Sequence, residues 1–154
     1  YHSPLNDVSD NAINQIFSTL KTLDASVSQC IDLPVGGRLI PVEKLTTDVV
    51  WFDFLALCDG PRSQNDYIDI ALEFHAVVIS GVPTLGAAND DMARRFINLV
   101  DEFYDRNVKL VISAAQPLES LYQGGNLAFE FERTRSRLLE MQSYQYLARP
   151  HQPI

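Results

Sequence analysis

The chain has 154 residues, of which 46% are hydrophobic, and a formal net charge of −8. This length suits one domain or one compact portion of a larger protein. The acidic balance argues against nucleic acid as a partner, because neutralising phosphates needs a basic surface. We expect no transmembrane segment, since no apolar run approaches the roughly 20 residues that cross a bilayer. Two cysteines without a metal-binding spacing, Cys30 and Cys58, are typical of reduced thiols in a cytoplasmic protein.

The first third of the sequence predicts a helix followed by three strands. Apolar residues recur at helical spacing between positions 13 and 23. Residues 29–33 and 38–42 flank a PVGG turn and predict a β-hairpin. Pro41 would place the second strand of this hairpin at a sheet edge, because proline cannot donate a ladder hydrogen bond. The VVWFDF run at residues 49–54 predicts a third strand.

The centre of the chain predicts a strand–helix–strand unit. Residues 76–80 and 108–113 are short runs rich in Val and Ile, as in strands buried on both faces of a parallel sheet. Between them, five apolar residues from Met92 to Phe103 share one helix face. Asn89 would cap this helix and Asn107 would end it in a left-handed conformation.

The flanking segments complete an α/β fold. Ser63 would cap a helix over 64–74, and the last helix is expected from about Arg133 to Leu147. We therefore predict a strand–helix–strand core in a mixed or parallel sheet, with an N-terminal β-hairpin and helices on both faces.

One stretch resembles a metal-binding motif. Leu99-Val100-Asp101-Glu102 is similar to a Walker B site, in which a strand end presents a carboxylate to Mg²⁺. Helical periodicity favours another interpretation, a helix with Asp101 on its solvated polar face. No GxxxxGK[ST] phosphate loop occurs, and Gly124-Gly125 does not supply one. We therefore predict no metal site and no catalytic residue in this chain.

A series of arginines allows two interpretations. Arg133 and Arg137 would share a helix face, whereas Arg135 would point elsewhere. The planar guanidinium group suits phosphate or carboxylate, so the pair could face a nucleotide or bridge subunits. The alternative is a surface network of charges with neighbouring residues such as Glu140.

Cys58 and His75 also allow two interpretations. A cysteine and a histidine can act as nucleophile and base when they meet. The alternative is that Cys58 packs in the core and His75 pairs at the entrance of a strand.

Ordered motifs along nearly the whole chain resemble the C-terminal half of the ZapE-type cell-division ATPases, a family with mitochondrial relatives. These motifs are FDF (52–54), LC (57–58), GPRS (60–63), DY (66–67), FH (74–75), SGVP (80–83), ARRFI (93–97), LVD (99–101), YD (104–105), VKL (108–110), SA (113–114), FEFERT (129–134), SRL (136–138) and EMQS (140–143). The resemblance implies a P-loop ATPase of AAA+ type that hydrolyses ATP with Mg²⁺. Bacterial members act at the division ring and contact its tubulin-like protein.

This resemblance makes residues 1–154 a single C-terminal portion of a larger ATPase, whose Walker A and Walker B motifs lie in an absent N-terminal half. The portion alone is then expected neither to bind ATP and Mg²⁺ nor to hydrolyse ATP. Its implied partners are the N-terminal half, the division-ring protein and sister subunits of a homo-oligomer. Arg133 and Arg137 become candidates for a role near a neighbouring nucleotide site. The alternatives are a non-enzymatic interaction module and a stand-alone α/β enzyme that uses Cys58 and His75.

The order of elements suggests one more hypothesis. The strand at 77–80, the helix, the strand at 108–113, the PLESLY turn and the arginines follow an order similar to that of the family's ATPase half. Ser80-Gly81 stands where that half needs an Asp-Glu pair. The chain could therefore be a degenerate copy of the ATPase half, which keeps the scaffold without the metal ligand.

Overall fold

The computed structural model describes residues 1–20 and 26–152, which form six α-helices and seven β-strands. In chain order the elements are α1 (Asp7–Leu20), β1 (Ser28–Val35), β2 (Arg38–Leu45), β3 (Val49–Asp53), α2 (Phe54–Cys58), α3 (Gln64–Glu73), β4 (Ala76–Val82), β5 (Leu85–Gly86), α4 (Asp90–Asp105), β6 (Lys109–Ala114), β7 (Tyr122–Gln123), α5 (Ala128–Met141) and α6 (Tyr144–Leu147). Short 3₁₀ turns occur at Ala87–Asn89 and Leu118–Ser120. The α/β fold predicted from the sequence is confirmed.

Five strands form one mixed sheet in the order β1-β2-β3-β4-β6. The first three strands pair antiparallel, and β3, β4 and β6 pair parallel. The predicted hairpin is therefore present, but β1, not β2, lies at the edge. The prediction from Pro41 was wrong because β2 pairs with β3 only through Lys44 and Leu45, and Pro41 lies outside that short contact. The small strands β5 and β7 form a separate parallel pair.

The central unit follows the predicted pattern. Helix α4 connects the parallel strands β4 and β6, and Val77 pairs with Leu110 in their register. Asn107 ends the helix with a φ of 54°, the left-handed conformation expected of an Asn at this position. Asn89 precedes α4, but its side-chain oxygen accepts from the Gly86 N–H at 2.7 Å instead of capping the helix. A 3₁₀ turn at Ala87–Asn89 therefore leads into α4, and no side chain caps the helix at Asn89.

Helices cover both faces of the sheet, as predicted. On one face, α1 packs on β3 and β4 in a small cluster of buried residues, comprising Ile13, Phe17, Val49, Trp51, Ala76 and Val78. On the other face, residues of α2 to α6 pack against the same strands in the larger core. Strand β3 alternates between the two, since Val49 and Trp51 face α1 while Val50 and Phe52 face the larger core.

The end of the chain differs from the prediction. The last helix begins earlier, at Ala128, and ends at Met141, before a separate turn of helix over Tyr144–Leu147. Ser143 caps that turn by accepting from the Tyr146 N–H at 3.2 Å. Leu23, which was assigned to the first helix, lies outside the described residues. Within residues 1–20 and 26–152, no helix combines the length and the apolar character of a membrane span.

Candidate functional site

Arg133 and Arg137 meet at one carboxylate. Both lie on α5, one turn apart, and both reach Asp101 on α4. Arg133 Nη2 is 3.1 Å from Asp101 Oδ2, and Arg137 Nη1 donates to the other carboxylate oxygen. The shared face predicted for the two arginines is confirmed. The bond to another helix, instead of to neighbours on α5, was not expected from the sequence.

The two arginines differ in exposure. The side chain of Arg137 is 26% exposed, and its guanidinium group lies over the Tyr104 ring at 5.0 Å from the centroid. The side chain of Arg133 is 58% exposed. Two positive charges on one carboxylate leave one uncompensated positive charge within this three-residue group. The side chain that presents this charge to solvent is Arg133.

The fold of α5 aims these side chains. Its buried face consists of Phe131, Thr134, Leu138 and Met141, and Phe131 stacks on Phe96 of α4 with ring centroids 6.5 Å apart. Arg135 points elsewhere, as predicted, and its Nε is 3.4 Å from the Leu118 carbonyl oxygen. The apolar contact between α4 and α5 therefore places the other two arginines along the seam of these helices.

Asp101 and Glu102 do not form a Walker B site. They lie inside α4, as helical periodicity predicted, and not at the end of a strand. The prediction that Asp101 lies on a solvated polar face was wrong, because Asp101 is half-buried under the arginines. Its neighbour Glu102 is only 7% exposed. Glu102 accepts hydrogen bonds from Gln64 on α3 and from Arg106 one turn later. Its role is to join α3 to α4.

A hydrogen-bonded latch joins the start of α4 to the start of α5. The Tyr122 hydroxyl donates to Asp90 Oδ1 at 2.7 Å and accepts from the Leu127 N–H at 2.7 Å. The Asn126 N–H donates to the second Asp90 oxygen at 3.2 Å. A Cβ atom at Gly125 would lie 2.0 Å from the Tyr122 hydroxyl oxygen, so only glycine fits under it. The sequence pattern gave no sign of this latch, because its residues are far apart along the chain.

Cys58 and His75 are not brought together. His75 lies just before β4, at the amino end of the parallel strands, where its Nε2 is 3.1 Å from Asp48 Oδ2. Cys58 lies beyond the carboxyl end of β3, so the length of a strand, roughly 16 Å, separates them. Burial raises the pKa of the Cys58 thiol to about 12, which keeps it protonated. The interpretation as nucleophile and base was wrong, and the packing interpretation is confirmed.

Ser80 and Gly81 lie at the carboxyl end of β4. The Ser80 hydroxyl accepts from Trp51 Nε1 at 2.9 Å, and the Gly81 N–H donates to Ser113 Oγ at 3.1 Å. Gly81 has a φ of 77°, and a Cβ there would lie 3.1 Å from Asp53 Oδ1. The hydroxyl groups at this edge therefore bond to the protein itself.

The residues that the structure describes offer few groups for a polyphosphate or a metal ion. Across the described residues, no three His, Cys, Asp or Glu side chains group as a metal site would require. A cleft of about 450 Å³ lies at the start of α4, but its charged lining includes Asp59, Asp90 and Asp91 against Arg95. Three carboxylates disfavour a polyphosphate.

Comparisons with known proteins place the chain in a family. A profile of the AFG1-like ATPase family matches residues 1–150. The chain is 40% identical over 149 residues to the cell division protein ZapE of Escherichia coli K12, an alignment that covers 97% of this chain and 39% of ZapE. It is 31% identical over 169 residues to the Lactation elevated protein 1 homolog B of Danio rerio, which covers 89% of this chain and 34% of that protein.

No solved structure matches the chain. The chain spans only 39% of the length of the E. coli protein, so it corresponds to a part of such a relative. The match to the family profile nevertheless covers nearly every residue described above. The chain belongs to the AFG1-like ATPase family.

Proposed function

We propose that this chain is the C-terminal part of an ATPase that couples ATP hydrolysis to bacterial cell division at the division ring. The observation that carries the proposal is the 40% identity to cell division protein ZapE along 97% of the chain. The family's description as ATPases supplies the reaction. The sequence contains no GxxxxGK[ST] segment, so in this proposal phosphate is bound by a part of the protein outside these 154 residues.

In this proposal the chain acts as a partner of the nucleotide site. The groups that bind ATP and Mg²⁺ belong to an N-terminal half with the Walker motifs. The intact protein works in the cytoplasm, contacts the tubulin-like protein of the division ring and is able to form a homo-oligomer. The present residues supply a packed α/β body and the arginines on its α4–α5 seam.

The arginines have a specific part in the proposal. Arg133 and Arg137 face the nucleotide of the N-terminal half or of a neighbouring subunit, where positive charge stabilises the transition state of phosphoryl transfer. The support is that Asp101 orients both side chains and compensates only one of their charges. Arg133 is the one exposed enough to reach another surface, and Arg137 positions it by sharing Asp101.

The first test compares ATP turnover with Mg²⁺ by the full-length protein and by the 154-residue chain. We expect turnover only by the full-length protein. Turnover by the chain alone would show a nucleotide site without a Walker A loop and would contradict the proposal. No turnover by either would favour a non-enzymatic interaction module.

The second test replaces the arginines in the full-length protein. An arginine that stabilises the transition state is worth about 10³–10⁵ in kcat, so we expect a loss of this order for Arg133→Ala. A smaller loss is expected for Arg137→Ala, with the fold retained. Arg135→Ala is the matched control on the same helix, because Arg135 pairs with Glu132 and points away from Asp101. Unchanged turnover in the first two variants would leave these arginines as packing residues.

The degenerate-copy hypothesis stays a proposal. The observed order of β4, α4, β6, the turn at Leu118–Ser120 and α5 agrees with the order on which the hypothesis was based. Superposing the two halves in a structure of the full-length protein tests it. If the strands of the N-terminal half were connected differently from those of this chain, the hypothesis would be wrong.

A further inference from the structure

A slot runs along the outer side of β6. One wall is α1, the other is formed by the end of α5 and by α6, and β6 is the floor. The slot has a volume of about 360 Å³, and its apolar lining includes Tyr1, Ile16, Leu20, Leu110, Met141 and Leu147. Its walls are apolar on both sides, as they are around a central strand of an α/β sheet.

The floor of the slot carries backbone groups that β4 does not use. The Lys109 N–H donates to the His75 carbonyl on the β4 side at 2.9 Å. Because successive residues of a strand direct their backbone groups to opposite sides, Leu110 and Ile112 face the slot. Among the strands of the described residues, β6 is the last in the sheet order, so the Leu110 N–H and C=O and the Ile112 N–H have no strand beside them.

The first residues of the chain already begin to cover this edge. The His2 N–H donates to the Ile112 carbonyl at 2.8 Å, and the Ala114 N–H donates to the His2 carbonyl at 2.8 Å. This is a parallel bridge between His2 and Ser113. If the chain is extended from His2 towards its N-terminus and stays parallel to β6, it passes beside Val111 and then beside Lys109. The segment before Tyr1 would thus enter the slot.

We propose that the residues immediately preceding Tyr1 in the full-length protein form a further strand, parallel to β6, that fills this slot. The E. coli relative has room for such a segment, because this chain spans only 39% of its length.

The register of the proposed strand follows from the bridge at His2. The residue just before Tyr1 lies opposite Val111, donates its N–H to the Leu110 carbonyl and accepts from the Ile112 N–H. It is therefore not proline. Its side chain points with Val111 towards Ile16 and Leu20 of α1, because paired residues share a face. The side chain of the second residue before Tyr1 points to the opposite face, towards Met141 and Leu147. An apolar residue suits either position.

Amide hydrogen exchange in the full-length protein tests the proposal. The Ala114 N–H, which is bonded to His2, is the internal reference. If the strand forms, the Ile112 and Leu110 N–H groups exchange within about tenfold of that reference. Exchange of Ile112 at least 100-fold faster than Ala114 would overturn the proposal, and this comparison needs no mutation.

A pair of variants tests whether the slot holds the strand. Leu147 lines the slot and is 44% exposed in this chain, while Leu72 on α3 is 42% exposed and lies elsewhere. In the full-length protein, Leu147→Asp is expected to accelerate exchange at Ile112 at least tenfold, and Leu72→Asp to leave it unchanged. Equal effects of the two variants would contradict the proposal. Protection of Ile112 that grows with protein concentration would also overturn it, because a second copy would then fill the slot.

Discussion

Asp101 shows how the role of one residue depends on a helix distant in sequence. The periodicity of α4 predicts which side of the helix faces the core. It says nothing about α5, which begins 27 residues after Asp101. The sequence therefore identified Arg133 and Arg137 as a pair on one face and missed the carboxylate that holds them. A polar residue on a helix flank becomes half-buried when a second helix packs beside it.

The buried thiol supports a prediction at the same scale. Burial raises the pKa of Cys58 to about 12, so only about 10⁻⁴ of it is thiolate at pH 8. Cys30 is exposed. We expect iodoacetamide at pH 8 to modify Cys30 alone in the folded chain, and both thiols in denaturant, as measured by mass spectrometry. Modification of Cys58 in the folded chain as fast as that of Cys30 would show that the thiol is accessible and contradict this prediction.

At the scale of elements, periodicity predicted α4 and the parallel strands well. A helix with one apolar face and a strand rich in Val and Ile are local patterns, so the sequence contains them. The break between α5 and α6 was missed, because it depends on the Ser143 side chain accepting from the Tyr146 N–H, and not on any change in apolar spacing. The entry into α4 was misjudged for a similar reason, since Asn89 bonds to Gly86.

The contribution of the contact between α3 and α4 to stability can be tested at Glu102. Glu102→Gln keeps the size of the side chain and removes the charge that binds Arg106 and Gln64. We expect the free energy of unfolding to fall by about 1.5–3 kcal/mol, the range for hydrogen bonds to charged groups. Urea denaturation measures the change, with Asp105→Asn on the exposed side of α4 as the control.

The same variant separates two roles of Glu102 in the full-length protein. A Walker B glutamate would lose turnover on conversion to Gln, whereas a residue that joins two helices would keep it below the unfolding transition. We expect turnover to be kept. Loss of turnover in a folded Glu102→Gln protein would mean that this residue acts in the reaction.

At the scale of the whole molecule, the two faces of the sheet are covered by different numbers of helices. One face packs against α2 to α6, whereas the described part of the chain covers the other face with α1 alone. Phe17 of α1 is fully buried beside Trp51, with ring centroids 6.1 Å apart. The stability of this face therefore depends on few side chains.

Phe17→Ala tests that dependence. Truncating a buried Phe destabilises a protein by about 3–5 kcal/mol, so we expect a loss of this order in the free energy of unfolding. The single tryptophan should then emit at longer wavelength, because water gains access to Trp51. Ser18→Ala, at an exposed position of the same helix, is the control. An unchanged stability would show that α1 contributes little to the fold.

The strand order could be predicted only in part. The parallel pairing of β4 and β6 could be predicted, because parallel strands need a long crossover connection, and the sequence shows a helix between two buried strands. The prediction that β2 lies at the sheet edge was wrong, because the rule for proline concerns only the paired part of a strand. No local pattern in the sequence shows that β2 pairs with β3 through only two residues. Long-range pairing is decided by packing that the sequence does not display residue by residue.

The contacts between α4 and α5 have a mechanical consequence. Asp101 bonds to α5 itself, and Asp90 bonds to Tyr122 and Asn126 just before it, at points that are 11 residues, or about 16 Å, apart along α4. The Phe96–Phe131 stack adds a third point away from that line. These three contacts restrain both rotation and sliding of α5 against α4, so we expect the two helices to move together. A displacement of the start of α4 is therefore expected to shift Arg133 and Arg137 together with α5.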